Sequence, residues 1–165
     1  MKILKRALKV FLIHTHRDRK AVHDLYSCLL EDEISPWLDS ERLLPGQDWR
    51  YEIRRSILMS DIAIVCLSRR FIRHHGYCQE ELKIALQKAK LLSDGEVFII
   101  PVRLEECDVP EALLRWHRVD LFSTDGYTKL FRSLRAQVEV DKKMIPISQF
   151  KALYNFKTLI PRMVI

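Results

Sequence analysis

Apolar residues in this chain follow two rhythms that take turns: short unbroken runs, and longer stretches in which they return every third or fourth position. The runs at 10–13, 61–67 and 97–102 predict strands buried on both faces, because helices cover each side of a parallel sheet. Pro101 marks the end of the third run or an edge. Residues 34–38 predict another strand, placed by Pro36 at a sheet edge or strand start, and 117–121 a last one. Between them lie amphipathic helices. Residues 19–31 carry Val22, Leu25, Tyr26, Leu29 and Leu30 on one face, with Asp18 in position to cap. A polar loop at 39–48 holds the turn signal Pro45-Gly46, and Asp48 caps a helix whose buried stripe is Trp49, Ile53 and Ile57. A loop at 68–75 leads to a helix over 77–89. Residues 103–114 read mostly as loop, with a short helix possible after Val109 and Pro110. A turn at Asp125-Gly126 opens a helix over 127–137 patterned by Leu130, Phe131 and Leu134. Five alternations of strand and helix predict an α/β fold, an open parallel sheet with helices on both faces. Ligands of such sheets bind beyond the carboxyl ends of the strands. Residues 138–165 lose the rhythm, interrupted by Pro146 and Pro161, and read as a linker or the truncated start of a following domain.

The helix over 77–89 separates two neighbouring carboxylates. At 100° per residue, Cys78, Leu82, Ala85, Leu86 and Ala89 share one apolar sector. Glu80 falls roughly opposite its middle and faces water, whereas Glu81 lies at its margin, about 80° from the middle, and reaches a cleft beside the core. Tyr77 is one turn earlier on the Glu81 side, so an aromatic face and a carboxylate could line one recess. A solvated glutamate beside a half-buried tyrosine fits the same spacing.

Composition narrows the picture. A chain of 165 residues, 48% hydrophobic and 30% charged, is long enough to bury a core without disulfides or metal. Its formal charge of +6 would suit a soluble surface, nucleic acid or a phosphate-rich nucleotide alike. Arg54-Arg55 and Arg69-Arg70 read as solvated helix and loop residues rather than as a nucleic-acid surface. Cys28, Cys66, Cys78 and Cys107 form no CxxC pair and read as reduced core residues. No stretch reaches the roughly 20 apolar residues of a membrane span, and no secretory signal is apparent, so a cytoplasmic domain is expected.

The common catalytic signatures are missing. There is no G-x-G-x-x-G, no G-x-x-x-x-G-K-[ST], and no G-x-S-x-G around Ser68. His14 and His16 would point to one side of an extended strand, but no third ligand accompanies them, and no metal site is expected. His74-His75 reads as a wet loop. A phosphoacceptor would need an acidic cluster after the first strand, where His14, Thr15 and His16 stand instead.

Four segments together carry a specific resemblance: residues 10–14 (VFLIH), 36–49 (PWLDSERLLPGQDW), 61–68 (DIAIVCLS) and 76–82 (GYCQEEL). In order and spacing across about 8–137 they resemble the Toll/interleukin-1 receptor (TIR) domain family, in its bacterial, NAD-cleaving branch. The resemblance implies a TIR domain over 1–137 with a flavodoxin-like sheet of five parallel strands, and makes 39–48 the so-called BB loop. Enzymatic members cleave the bond between nicotinamide and ribose in NAD+, using a glutamate on the helix after the third strand, which falls on Glu81. The loops bordering their nucleotide site make His14, Thr15, His16, Asp39 and Glu41 candidate substrate contacts. Arg17 could meet the pyrophosphate, Trp49 matches a tryptophan at the next helix start, and Tyr77 stands where relatives often carry Trp. Some catalytic relatives have basic side chains in the first loop, where this chain has His14, Thr15 and His16.

The implied activity is an NAD+ nucleosidase, a glycohydrolase or an ADP-ribosyl cyclase, in bacterial signalling or anti-phage defence. NAD+ would be substrate, with no bound cofactor. Activation would come from self-association through TIR–TIR contacts that include the BB loop, under a fused or separate sensor domain. The alternative is a non-enzymatic adaptor that binds other TIR domains.

Overall fold

In the computed structural model of the protein, residues 7–73 and 76–139 are described, Asp39, Ser40 and Glu139 by their backbone alone. The strands are β1 (Lys9–Ile13), β2 (Ser35–Trp37), β3 (Ile62–Leu67), β4 (Ile99–Arg103) and β5 (Val119–Asp120). The helices are α1 (Arg19–Glu31), α2 (Asp39–Arg42), α3 (Trp49–Met59), α4 (Arg69–Arg73), α5 (Tyr77–Ala89) and α6 (Gly126–Glu139), with 3-10 turns at His16–Asp18 and Glu111–Leu113. All strand pairs are parallel, in the order β2-β1-β3-β4-β5. This is the flavodoxin-like α/β arrangement, whose order reverses between β1 and β3.

Alternation along each strand sends side chains to two cores. Val10, Leu12, Ile62, Ile64 and Ile100 pack with Leu25 and Leu29 of α1 and Leu130 and Leu134 of α6. Phe11, Ile13, Ala63, Val65 and Leu67 face the other way, toward Ile53 and Ile57 of α3, Phe71 of α4, and Leu82 and Ala85 of α5. Every residue of β3 is buried, as its unbroken apolar run requires.

The two strand prolines sit where a missing donor is harmless. Ser35 donates its N–H to Leu8 in front of β1, so the backbone nitrogen and carbonyl of the intervening Pro36 face away from β1, while its ring is buried. The Pro36 carbonyl accepts from Arg42 Nη2 at 3.3 Å. β2 is therefore the edge strand its proline predicts. Pro101 corrects the expectation of a strand end: it lies within β4, between β3 and β5. The Phe98 carbonyl and the Leu104 N–H bond toward β3, while the Arg103 carbonyl accepts from Leu121, so the Pro101 nitrogen faces β5. Pairing with β5 begins only at Val102↔Val119, past that nitrogen.

Other expectations change in detail. The 39–48 loop begins with the short helix α2, and 68–75 contains α4, started by the Ser68 hydroxyl accepting from the Phe71 N–H at 3.0 Å. One buried side chain, Phe71, is too little periodicity to reveal a five-residue helix. Leu30 and Trp49, expected in buried stripes, are 44% and 45% exposed, and Cys28 is exposed as well. Leu30 lies in the last turn of α1, and Trp49 opens α3, where each helix runs past the edge of its core. Asp48 does cap α3, accepting from the N–H groups of Arg50 and Tyr51.

At the far end of the sheet, buried Arg103 holds Asp120 with both arms of its guanidinium, at 2.6 and 2.7 Å, joining β4 to β5. That bond holds the Asp120 carboxyl below the usual carboxylate range. Gly126 opens α6 against this strand, and any Cβ there would collide with the Asp120 carbonyl oxygen. The α6 helix runs to Glu139, and the remainder of the segment expected to be a linker lies outside the described residues, as do His74 and His75.

Candidate functional site

The strand order reverses between β1 and β3, so the chain leaves these neighbours toward opposite faces and opens a crevice at their carboxyl ends. The first turns of α3 and α5 stand together at the same end of the molecule. The Trp49 and Tyr77 rings meet edge to face, 4.7 Å between centroids at 66°. At the other end, Lys88 of α5 reaches the last carbonyls of α3, so the two helices run side by side in one direction.

Glu81 is 7% exposed, whereas Glu80 is exposed, as their positions on the helix require. The charge of Glu81 is felt by its neighbours. Burial, then Glu81, then Glu80 push the Tyr77 phenol above its ordinary value, against the opposing effect of Arg54 and Arg50. Burial and then Glu81 push the Cys78 thiol up to about 11, so Cys78 is a neutral thiol rather than a nucleophile near pH 7. Tyr77, Glu81, Ile84 and Lys88 form a stripe at spacings of four, three and four, half-buried at Tyr77 and buried beyond it, on the flank that carries the aromatic pair.

The loop after β1 leaves the sheet at the same carboxyl end. Thr15 is buried, and its carbonyl accepts from the Asp18 N–H at 2.9 Å. His14, half-buried, places Nδ1 3.1 Å from the Leu12 carbonyl; a carbonyl only accepts, so Nδ1 carries a proton and Nε2 is left toward the surroundings. His16 is exposed and turned to α1, its Nδ1 accepting from Arg19 at 3.0 Å. Arg17 is exposed, and its carbonyl accepts from Arg70 at 3.1 Å.

Asp18 departs from the expected role. It occupies the capping position of α1 but its side chain makes no cap bond. Its carboxylate instead accepts from the buried Ser68 hydroxyl, just past β3. A sequence cannot distinguish these partners, since both begin from an aspartate before a helix.

The structure thus pairs Trp49 with Tyr77, sets Glu81 one turn after Tyr77 on α5, and places His14 and Thr15 on the loop that Asp18 ties to the end of β3. Glu41 is directed elsewhere: its carboxylate lies 3.3 Å from His23 Nε2 of α1. Asp39 begins α2, and its side chain is outside the described residues. Among the described residues no cluster of three or more His, Cys, Asp or Glu is placed to hold a metal ion, and no helix is long and apolar enough to cross a membrane.

The buried Lys88 is the residue that pattern reading missed. Its ammonium donates to the Leu58 carbonyl at 2.8 Å and to that of Ser60, and lies 4.3 Å from the centre of the Phe98 ring. The signal was its place in the Tyr77-Glu81-Ile84 stripe, where a lysine needs several acceptors to be buried.

A five-stranded parallel sheet with helices on both faces defines the doubly wound α/β class. Within that class, the family model for the TIR domain matches residues 10–135, and the chain belongs to the TIR-domain family. A protein of Sinorhizobium fredii (strain NBRC 101917 / NGR234), y4cD, is 28% identical, over 66% of this chain and 19% of its own length. The chain thus spans about a fifth of that relative. The TIR domain of the Toll-related receptor TRR-2 from Hydra magnipapillata superposes with a TM-score of 0.63 at 24% identity, covering 76% of this chain and 97% of that one. The TIR domains of the activated Roq1 resistosome, which directly recognises the pathogen effector XopQ, give 0.53 at 25% identity, covering 82% and 75%.

Proposed function

We propose that this TIR domain is an NAD+ nucleosidase, acting in bacterial signalling or anti-phage defence inside the cytoplasm and switched on by self-assembly under a fused or separate sensor. The observation that carries the reading is the burial of Glu81 beside the Trp49–Tyr77 pair, while Glu80 next to it faces water. A carboxylate sheltered from water at the carboxyl end of the sheet acts on nearby charge through a low dielectric, which suits it to stabilise positive charge on a bound substrate.

The reaction supplies one. The nicotinamide ring of NAD+ leaves with the bonding pair of the C–N bond and becomes neutral, so no strong general acid is needed. Positive charge is left on the ribosyl ring, and a carboxylate within reach stabilises it and accepts hydrogen bonds from the ribose hydroxyls. Water adding to that carbon, with loss of a proton, gives ADP-ribose; attack by the adenine of the same molecule gives a cyclic product. Trp49 and Tyr77 offer aromatic faces to the planar rings of the substrate. His14 and Thr15 border the ribose side, and the adjoining amino ends of α3 and α5 favour the pyrophosphate. Arg17 and Asp39 are the outer contacts proposed for the site, whereas His16, bonded to Arg19, and Glu41, paired with His23, are directed to α1 and are left out of it.

The test is chromatography of NAD+ incubated with concentrated protein. Wild type releases nicotinamide, and Glu81→Gln slows release at least about 100-fold, the scale of losing one electrostatic stabiliser of the transition state. Equal release by both proteins would remove Glu81 from the chemistry. The adaptor reading draws on a different observation, the exposure of Leu44 at 65% on the loop after α2. It predicts binding to other TIR domains with no nicotinamide release at any degree of assembly.

A further inference from the structure

The crevice between β1 and β3 leaves the two walls of the proposed site on separate parts of the chain. One wall is the loop carrying His14 and Thr15; the other is α5, carrying Tyr77 and Glu81. β1 and β3 pair only as far as Ile13↔Val65, after which the chain enters α1 on one face and α4 and α5 on the other. Beyond that register the walls are joined by side chains rather than by the sheet ladder.

A continuous run of hydrogen bonds crosses this gap. The Asp18 carboxylate accepts from the Ser68 hydroxyl. Ser68 Oγ accepts from the Phe71 N–H at 3.0 Å, and the Phe71 carbonyl accepts from Gln79 Nε2 at 3.3 Å. Gln79 stands two residues before Glu81 on the same helix. A second tie runs alongside, from Arg70 Nη1 to the Arg17 carbonyl at 3.1 Å. Ser68 is 2% exposed, so its bond to an ionised acceptor is sheltered from competing water. Asp18 gives up the helix-capping bond its position offers in order to make it.

We propose that Asp18 is a positioning residue: through Ser68, Phe71 and Gln79 it holds the β1 loop in register with the Glu81 helix, so that both walls meet one NAD+ molecule. This rests on the NAD+ reading for its kinetic consequence, though the bond network stands apart from it. Asp18 acts through the loop and does not touch the reacting atoms. Its loss therefore weakens substrate binding more than the chemical step, the reverse of what removing Glu81 does.

The experiment compares wild type, Asp18→Ala, Asp18→Asn and Glu81→Gln, each assembled at the same concentration. Asp18→Ala is expected to raise KM for NAD+ about tenfold with kcat within about twofold, whereas Glu81→Gln lowers kcat. Asp18→Asn retains an oxygen for the Ser68 hydroxyl and is expected to stay within about threefold of wild-type KM. Adding Gln79→Ala to Asp18→Ala raises KM little further, because both break one chain of contacts. Amide hydrogen exchange at residues 14–18 quickens in Asp18→Ala but not in Asp18→Asn, while β3 stays protected. Unchanged KM and unchanged exchange in Asp18→Ala overturn the proposal. Should wild type release no nicotinamide, the NAD+ reading fails, and exchange alone decides the clamp: faster in Asp18→Ala upholds it, unchanged removes it.

Discussion

A helix turns 100° per residue, and that rotation gives two consecutive glutamates on α5 different solvents. Glu80 faces water, while Glu81 sits among Tyr77, Cys78 and the flank of the core, where its charge acts over short distances in a poorly screened setting. The Tyr77 phenol reports on this. Burial is the largest cause of its raised value and Glu81 the next. Removing the negative neighbour in Glu81→Gln makes phenolate easier to form, so Tyr77 should ionise at lower pH than in wild type. It should remain above the ordinary value of 10.0, because burial persists. Following the Tyr77 ring resonances against pH checks this, and a value unmoved by the substitution would separate the two groups. Trp49 was a candidate contact whose packing could not be read from its apolar character, since a tryptophan at a helix start serves equally as core or as rim. Its half-exposed ring, with the Arg50 guanidinium 5.2 Å from its centre, belongs to the rim.

The alignment of α3 with α5 is set at both ends, by the aromatic pair at the site and by Lys88 at the opposite end. Lys88→Met keeps the length and apolar stem but leaves the Leu58 and Ser60 carbonyls without their donor. A loss of about 2 kcal/mol in stability is expected, the cost of stranding buried acceptors, read as a lower urea midpoint at unchanged m. A midpoint within error of wild type would mean that water replaces the ammonium. At this scale the strands and long helices were legible because each buries a periodic or continuous apolar set. The short helices α2 and α4 were not, since four or five residues complete barely one turn. The polar architecture was least legible of all. Asp18 bonded to Ser68 across 50 residues, Lys88 on α3 and Arg103 on Asp120 are long-range choices among partners, and local spacing constrains none of them.

For the molecule as a whole, proposed activation by assembly places a demand on its surface. Leu44 is presented on a loop held by the Gln47 side chain, whose amide oxygen accepts from the Leu44 N–H at 2.8 Å. If this loop forms the TIR–TIR contact, nicotinamide release per molecule rises with protein concentration, and Leu44→Glu flattens that rise while leaving the melting temperature unchanged. Light scattering alongside the assay separates loss of assembly from loss of chemistry. A steep concentration dependence surviving in Leu44→Glu would assign the contact to another surface.

The proline at the sheet margin bears on the same demand. A protein that works by crowding copies of itself together raises the local concentration of every sticky surface it owns, including the margins of its sheet. Here β2 is three residues long, turns a proline nitrogen outward and covers that proline's carbonyl with Arg42, and the opposite margin, β5, has two residues. Neither offers a neighbouring chain a ladder to extend. If the domain assembles as proposed, these margins leave the contact to loops and helices, without seeding the cross-strand stacking that turns a reversible assembly into a permanent fibre.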